Sequence, residues 1–249
     1  MIFLYTDFGR EGPYMGQMEA VLRRAADVPV ITLLADAPAF DVRGNAYLLA
    51  AYTRDVQPDD VVLCIVDPGV GTERHALVMR ADGRWFVGPD NGLMSIVARR
   101  AARCDLWRIT WRPENLSASF HGRDLFAPIA ALLAKAGLNA AGDKLLSVNA
   151  EAIQRPAYTD QYAAIITFDR YGNAITGLDV STVDPRAMIT CAGHLISPAA
   201  TFGAVPEGQV FWYGNSSGLV EIAVNQGNAR QLLNLQAGMA LRIEPKAMP

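Results

Sequence analysis

Between Met1 and Asp67 three short aliphatic runs alternate with two segments of helical periodicity, and nothing else in the chain limits its fold as strongly. MIFLYTD, PVITLLAD and VVLCIVD are rich in aliphatic and β-branched residues, and each closes on an aspartate, as strands leaving a buried sheet do. GPYMGQMEAVLRRAA and VRGNAYLLAAYTRDV, which separate them, carry apolar residues at helical spacing. Strands joined through helices run parallel, and the helices cover both faces of the sheet. Residues 1–150 are therefore expected to form an α/β N-terminal domain with a mostly parallel central sheet.

The pattern then changes. NAEAIQRPAYTDQY, from Asn149 to Tyr162, is polar and contains proline, so 151–162 is expected to be a linker. Beyond it AAIITFDRYGNAITG, MITCAGHLI, GQVFWYGNSSGLVEIAV and MALRIEP read as short strands separated by Gly, Asn and Ser turns. A smaller C-terminal all-β barrel over 163–249 is the expectation. The chain shows no internal repeat and no low-complexity tract. Its 249 residues are 51% hydrophobic, enough apolar material for a globular core, and a net charge of -3 offers no basic footprint for nucleic acid. No run approaches the roughly 18 apolar residues of a membrane span. MIFLYTDFGR meets Asp7 with no basic lead-in and does not read as a secretory leader. Cys64, Cys104 and Cys191 are scattered and lack CxxC spacing, which fits reduced, packed cysteines in a cytoplasmic protein.

VVLCIVDPGVGTERHALVMR (Val61–Arg80) places a glycine-rich turn after a strand, where a phosphate-binding loop would lie. Arg74 occupies the position of the third glycine in GxGxxG. The following HALVMRADGRWFVG alternates and turns at Asp82-Gly83, so it forms a hairpin and supplies no helix N-terminus for a pyrophosphate. The turn brings Asp67 and Arg74 face to face at the C-terminal end of a strand, where open α/β sheets bind ligands. Their pairing reads either as a salt bridge tying down the hairpin or as part of a site. Asp7, in TDFG, also ends a strand and is suited either to grip a ribose diol or to cap a helix. SASFHGRDLFAP sets His121 in a glycine-containing loop immediately before a helix.

YTDFG, VDPGVGTER, GPDNGL (Gly88–Leu93), FHGRDLFAP, FDRYGNAITG and GNSSGLVEIAVNQGNA occur in this order across the chain. Together they resemble the S-adenosylmethionine hydroxide adenosyltransferase family, related in fold to fluorinases and chlorinases. The resemblance implies a seven-stranded α/β domain, a C-terminal β-barrel, and a homotrimer with active sites at subunit interfaces. It implies hydrolysis of S-adenosylmethionine, the substrate, at C5′ to adenosine and methionine, with no cofactor and no metal. Asp67, Arg74 and His121 match the catalytic trio of the hydrolases, and Asp7 the residue on the ribose hydroxyls. Asn173 matches an adenine-binding asparagine, with Asn225 and the backbone near Val224 and Gln226 on the other side. Asp169, Ser216 and Glu221 match the methionine-binding region; Phe40, Phe120, Tyr171 and Phe202 match aromatic walls. Where fluorinases read NSRG this chain reads NSSG, so an arginine contact to the methionine carboxylate is absent at Ser217. Three alternatives stand beside the hydrolase: a halide-using adenosyl transferase, a non-enzymatic S-adenosylmethionine- or adenosine-binding module, and a metal-dependent hydrolase built on Asp7, Asp67 and His121.

Overall fold

The structure of the protein, a computed structural model, describes residues 1–244. Pro245, which ends MALRIEP, and the remainder of the expected C-terminal domain to 249 lie outside the described residues. The chain divides into two compact units, Met1–Tyr158 and a second beginning at Thr159.

The first unit opens as its periodicity dictates: β1 (Ile2–Thr6), α1 (Tyr14–Ala25), β2 (Val30–Leu34), α2 (Val42–Tyr52) and β3 (Val61–Ile65). It continues with β4 (Ala76–Ala81), β5 (Arg84–Pro89), α3 (Ser95–Arg100) and β6 (Cys104–Ile109). A π-helical turn (Gly122–Phe126) runs into α4 (Ala127–Ala136), followed by α5 (Leu138–Ala141) and β7 (Leu145–Val148). The seven strands form one sheet in the order β2-β1-β3-β5-β4-β6-β7. β2, β1, β3 and β5 pair in parallel, but β5-β4, β4-β6 and β6-β7 are antiparallel. The sheet is thus mixed, where a mostly parallel one was expected. The cause is local: Asp82 and Gly83 adopt φ of 48° and 85°, a two-residue turn that returns the chain at once and leaves no room for a crossover.

β3 is buried at every position, as a central strand covered on both faces must be. One core joins Leu4, Leu63, Ile65 and Val87 of the sheet to Met18 and Leu22 of α1 and to Phe126, Ile129 and Leu133. Each such side chain contributes about 1.5–3 kcal/mol on burial. On the other face the Tyr5 hydroxyl donates to Asn45 Oδ1 in α2 at 2.6 Å. Sheet and helices together hold the C-terminal ends of β1 and β3 rigid, which matters for Asp7 and Asp67. The segment after β7 stays with this unit: Ile153 is buried, and the Arg99 guanidinium donates to the carbonyls of Arg155 and Tyr158.

The second unit contains β8 (Tyr162–Phe168), β9 (Ala174–Asp179), β10 (Met188–Cys191) and β11 (His194–Ile196). β12 (Val210–Gly214), β13 (Leu219–Val224), α6 (Ala229–Leu232) and β14 (Leu241–Glu244) complete it. The strands form two antiparallel sheets, β12-β13-β9-β8 and β11-β10-β14, around a core that includes Ile165, Ile189, Trp212 and Ile222. The expected closed barrel is not found among the described residues. There, only isolated bridges, Ala164 with Ala240 and Pro198 with Trp212, link the two sheets. The edge strands of the smaller sheet, β11 and β14, have three and four residues, too few to carry a continuous ladder across to the other sheet.

Candidate active site

Asp67 lies two residues beyond β3, and Arg74 two before β4. The connection between them folds on itself, with Val70 N–H donating to the Asp67 carbonyl at 3.2 Å and Thr72 N–H to that of Gly69 at 3.2 Å. Arg74 Nε consequently reaches Asp67 Oδ1 and Oδ2 at 2.9 and 3.0 Å, and Nη2 also donates to Oδ2. The two side chains are only 5% (Asp67) and 9% (Arg74) exposed, so this is a buried, multiply bonded pair rather than a surface bridge. The Arg74 guanidinium also lies 5.1 Å from the centre of the Phe126 ring.

His121 stands at the mouth of the π-helical turn and is 6% exposed, more buried than its loop-like sequence setting suggests. Its Nδ1 is 3.2 Å from Arg74 Nη2. A guanidinium can only donate, so Nδ1 accepts and the ring proton sits on Nε2. Burial, followed by the positive charges of Arg74 and Arg112, pushes the His121 pKa below its ordinary value. The imidazole is therefore neutral near pH 7, held in one tautomer, with Nε2–H as its free donor.

Asp67 and His121, with Arg74 behind them, line a recess of about 80 Å³ that is also lined by Asp7, Phe40 and Phe120. Asp7 follows β1 directly, whereas α1 begins at Tyr14 with Pro13 at its cap position, so Asp7 is not a helix cap. Burial raises the Asp7 pKa; hydrogen bonds from its own and the Phe40 backbone N–H oppose that rise, and Asp67 adds to it. Phe40 adopts φ 65°, a strained conformation for an aromatic residue, and is 78% exposed at the rim. Phe120 packs edge-on against Phe8 and Tyr14 at 5.6 and 5.5 Å. Among the described residues no three His, Cys, Asp or Glu side chains gather as a metal-ligand set.

In the second unit a cavity of about 620 Å³ is lined by the predicted Asp169, Tyr171, Asn173, Phe202 and Val224. The turn between β8 and β9 builds its polar wall. Asp169 Oδ1 accepts the N–H groups of Tyr171 and Asn173, both at 2.9 Å, and Oδ2 accepts Asn173 Nδ2 at 2.9 Å. Gly172 has φ +86°, and a Cβ there would come within 2.3 Å of the Asn228 side chain. Asn173 is 3% exposed, and its buried Oδ1 has no partner among the described residues. Phe202 meets Phe211 and Tyr213 edge-on at 5.1 and 5.4 Å.

Ser216, Glu221 and Asn225 do not line this cavity. Glu221 is 4% exposed and accepts from the Tyr213 hydroxyl at 2.7 Å and Asn215 Nδ2 at 2.9 Å. Asn225 Nδ2 donates to the Val205 carbonyl at 2.8 Å, and Ser216 lies in the exposed turn between β12 and β13. Sequence reasoning overlooked the side chains of Tyr213, Gln226 and Asn228 and the close backbone at Gly227. The period-2 alternation of VFWYG carried part of that signal, because it puts Phe211 and Tyr213 on one face of β12 and Trp212 on the other.

A carboxylate–guanidinium–imidazole cluster at strand ends in one unit, and a ring-lined cavity with a fixed amide in the other, mark a protein that handles a small polar-aromatic molecule. The chain belongs to the S-adenosylmethionine (SAM) hydroxide adenosyltransferase family, matching the N-terminal domain over residues 2–142 and the C-terminal domain over 163–242. It is 40% identical to the (R)-S-adenosyl-L-methionine hydrolase of Thermus thermophilus, covering 97% of this chain and 98% of the relative. Identity to the (R)-S-adenosyl-L-methionine hydrolase of Salinispora arenicola is 35%, covering 96% and 95%. Among solved structures, an uncharacterized conserved protein from Thermotoga maritima superposes with a TM-score of 0.81 at 32% identity, covering 98% and 99% of the two chains. A conserved hypothetical protein from Thermus thermophilus does so with a TM-score of 0.78 at 36% identity, covering 98% and 99%.

Proposed function

We propose that this protein is an S-adenosyl-L-methionine hydrolase that attacks C5′ with water and releases adenosine and L-methionine. The observation that carries the reading is the buried Asp67–Arg74–His121 chain of contacts beside Asp7, in a full-length member of this family. Methionine leaves a sulfonium as a neutral thioether, so the leaving side needs no acid and the chemical burden falls on the nucleophile. Asp67 accepts the water's proton as C5′–O forms and C5′–S breaks, a contribution of about 10²–10⁴-fold. Arg74 fixes the carboxylate and, through Nδ1, the His121 tautomer, leaving Nε2–H to orient the water oxygen. Asp7 holds the ribose diol, and the second unit's cavity takes the adenine. The scheme requires neither metal nor cofactor.

The names of the relatives favour the R sulfonium epimer as substrate. An anionic Asp67 beside the nucleophile position disfavours halide, which argues against the halogenase alternative. The wider proposal includes a homotrimer with active sites at subunit interfaces and a cytoplasmic location. No helix among the described residues is long and apolar enough to cross a membrane, and all three cysteines are free. The test is to incubate the purified protein with each epimer, with and without chloride, and identify the nucleoside. Adenosine alone supports the proposal; 5′-chloro-5′-deoxyadenosine, or no turnover of either epimer, refutes it.

A further inference from the structure

The family resemblance assigns Asp169 to the methionine end of the substrate, yet three of its acceptor positions are used within its own turn. Oδ1 takes the Tyr171 and Asn173 N–H groups and Oδ2 takes Asn173 Nδ2. The last contact has a consequence for Asn173. A carboxylate only accepts, so it admits the Asn173 amide in one orientation, with Nδ2 toward Asp169 and Oδ1 away from it. That Oδ1 is buried and unpartnered among the described residues, on a side chain that lines the 620 Å³ cavity. An unpaired buried acceptor is costly, and a ligand N–H that reaches it recovers the loss. The tight Asp169–Asn173 turn, closed by Gly172 N–H donating to the Asp169 carbonyl at 3.1 Å, leaves the amide little freedom to adjust.

We infer that Asp169 is the positioning residue that selects a 6-aminopurine over a 6-oxopurine, by locking the Asn173 amide with its oxygen presented to the ligand. This rests on the adenosyl reading of the cavity. The exocyclic amine of adenine donates to Oδ1, and the second Nδ2 hydrogen remains for a ring nitrogen, the bidentate pattern by which asparagine reads adenine. A hypoxanthine or guanine ring sets its 6-oxo acceptor against Oδ1, acceptor against acceptor. The carboxylate forbids the amide flip that would relieve the clash.

Adenosine and inosine binding, measured by calorimetry on the wild-type protein and on Asp169→Asn, tests this without reference to hydrolysis. Asparagine at 169 still accepts the two turn N–H groups through Oδ1. Its Nδ2 then faces the Asn173 amide, which turns Oδ1 inward and offers Nδ2 to the ligand. Wild type is expected to bind adenosine about 10–100-fold more tightly than inosine. In Asp169→Asn, with a cooperative melt confirming that the unit is folded, that ratio is expected to collapse or invert through tighter inosine binding. Equal affinities in the wild type overturn the inference even if the variant fails to fold. So does an unchanged ratio in a folded variant, since a merely structural aspartate would weaken both ligands alike. Wild type that binds neither nucleoside defeats the cavity reading itself and the inference with it.

Discussion

Replacing Asp67 by Asn separates chemistry from architecture, because structure and mechanism each set a magnitude. Asp67 receives three contacts from Arg74 and is 5% exposed. Asparagine keeps one carbonyl acceptor but turns an N–H group toward the guanidinium donors, losing at least one charge-assisted bond of about 1.5–3 kcal/mol. Breaking a buried ion pair by removing one partner costs about 3–5 kcal/mol, and the near-isosteric amide stays toward the lower end of that range. A loss of about 3 kcal/mol lowers the melting temperature of a unit this size by about 6–12 °C. An amide cannot take a proton, so turnover at a temperature where the variant is folded should fall about 10²–10⁴-fold. Adenosine affinity, which the proposed scheme does not assign to Asp67, should stay within a few-fold. Scanning calorimetry, steady-state kinetics and adenosine titration on one preparation check all three. Parental turnover accompanied by the drop in melting temperature would refute the assignment, showing that Asp67 and Arg74 merely tie down the hairpin.

Three further perturbations have defined outcomes. Protonating His121 places an N–H against Arg74, and burial and neighbouring cations hold its pKa below the ordinary value, so kcat should persist through pH 6.5 and fall only below it. Linkage gives stability the same sign: the unfolded chain binds the proton more readily, so stability is full above the unfolded pKa and declines as pH drops toward the folded one, which melts at stepped pH will show. Asp7→Asn should raise the melting temperature at neutral pH while raising KM more than it lowers kcat, because folding raises the Asp7 pKa by desolvation, an ionic cost that the amide removes. Its stability gain should vanish at low pH, where Asp7 is protonated in both states; a variant with parental KM and adenosine affinity would instead make Asp7 a turn residue. Gly172→Ala forces φ +86° on an L residue and drives its Cβ into Asn228, whose Oδ1 caps α6. Left-handed strain and a disturbed cap together cost about 2–3 kcal/mol, so adenosine binding and the second unit's melt should weaken together.

Local chemistry in the chain determined the first five elements, the Asp82-Gly83 hairpin and the meeting of Asp67 with Arg74. Each depends on periodicity or on a connection of a few residues, and such signals lie within a short window. The ordered motifs determined the family and the positions of the candidate site. Tertiary structure decided what depends on pairing distant segments. The antiparallel part of the sheet extends beyond the Asp82-Gly83 hairpin because β6 docks on β4 and β7 on β6, and among the described residues the second unit's strands form two sheets with no closed barrel. His121 has the sequence setting of a loop residue, yet burial lowers its pKa and Arg74, 47 positions earlier, fixes its tautomer. Asp169 resembles a ligand for methionine in its sequence setting, and only the folded turn reveals that three of its acceptor positions are also engaged by Tyr171 and Asn173. A side chain's type can be read at its own position, but its free hydrogen-bonding groups are whatever the folded neighbours leave unpaired.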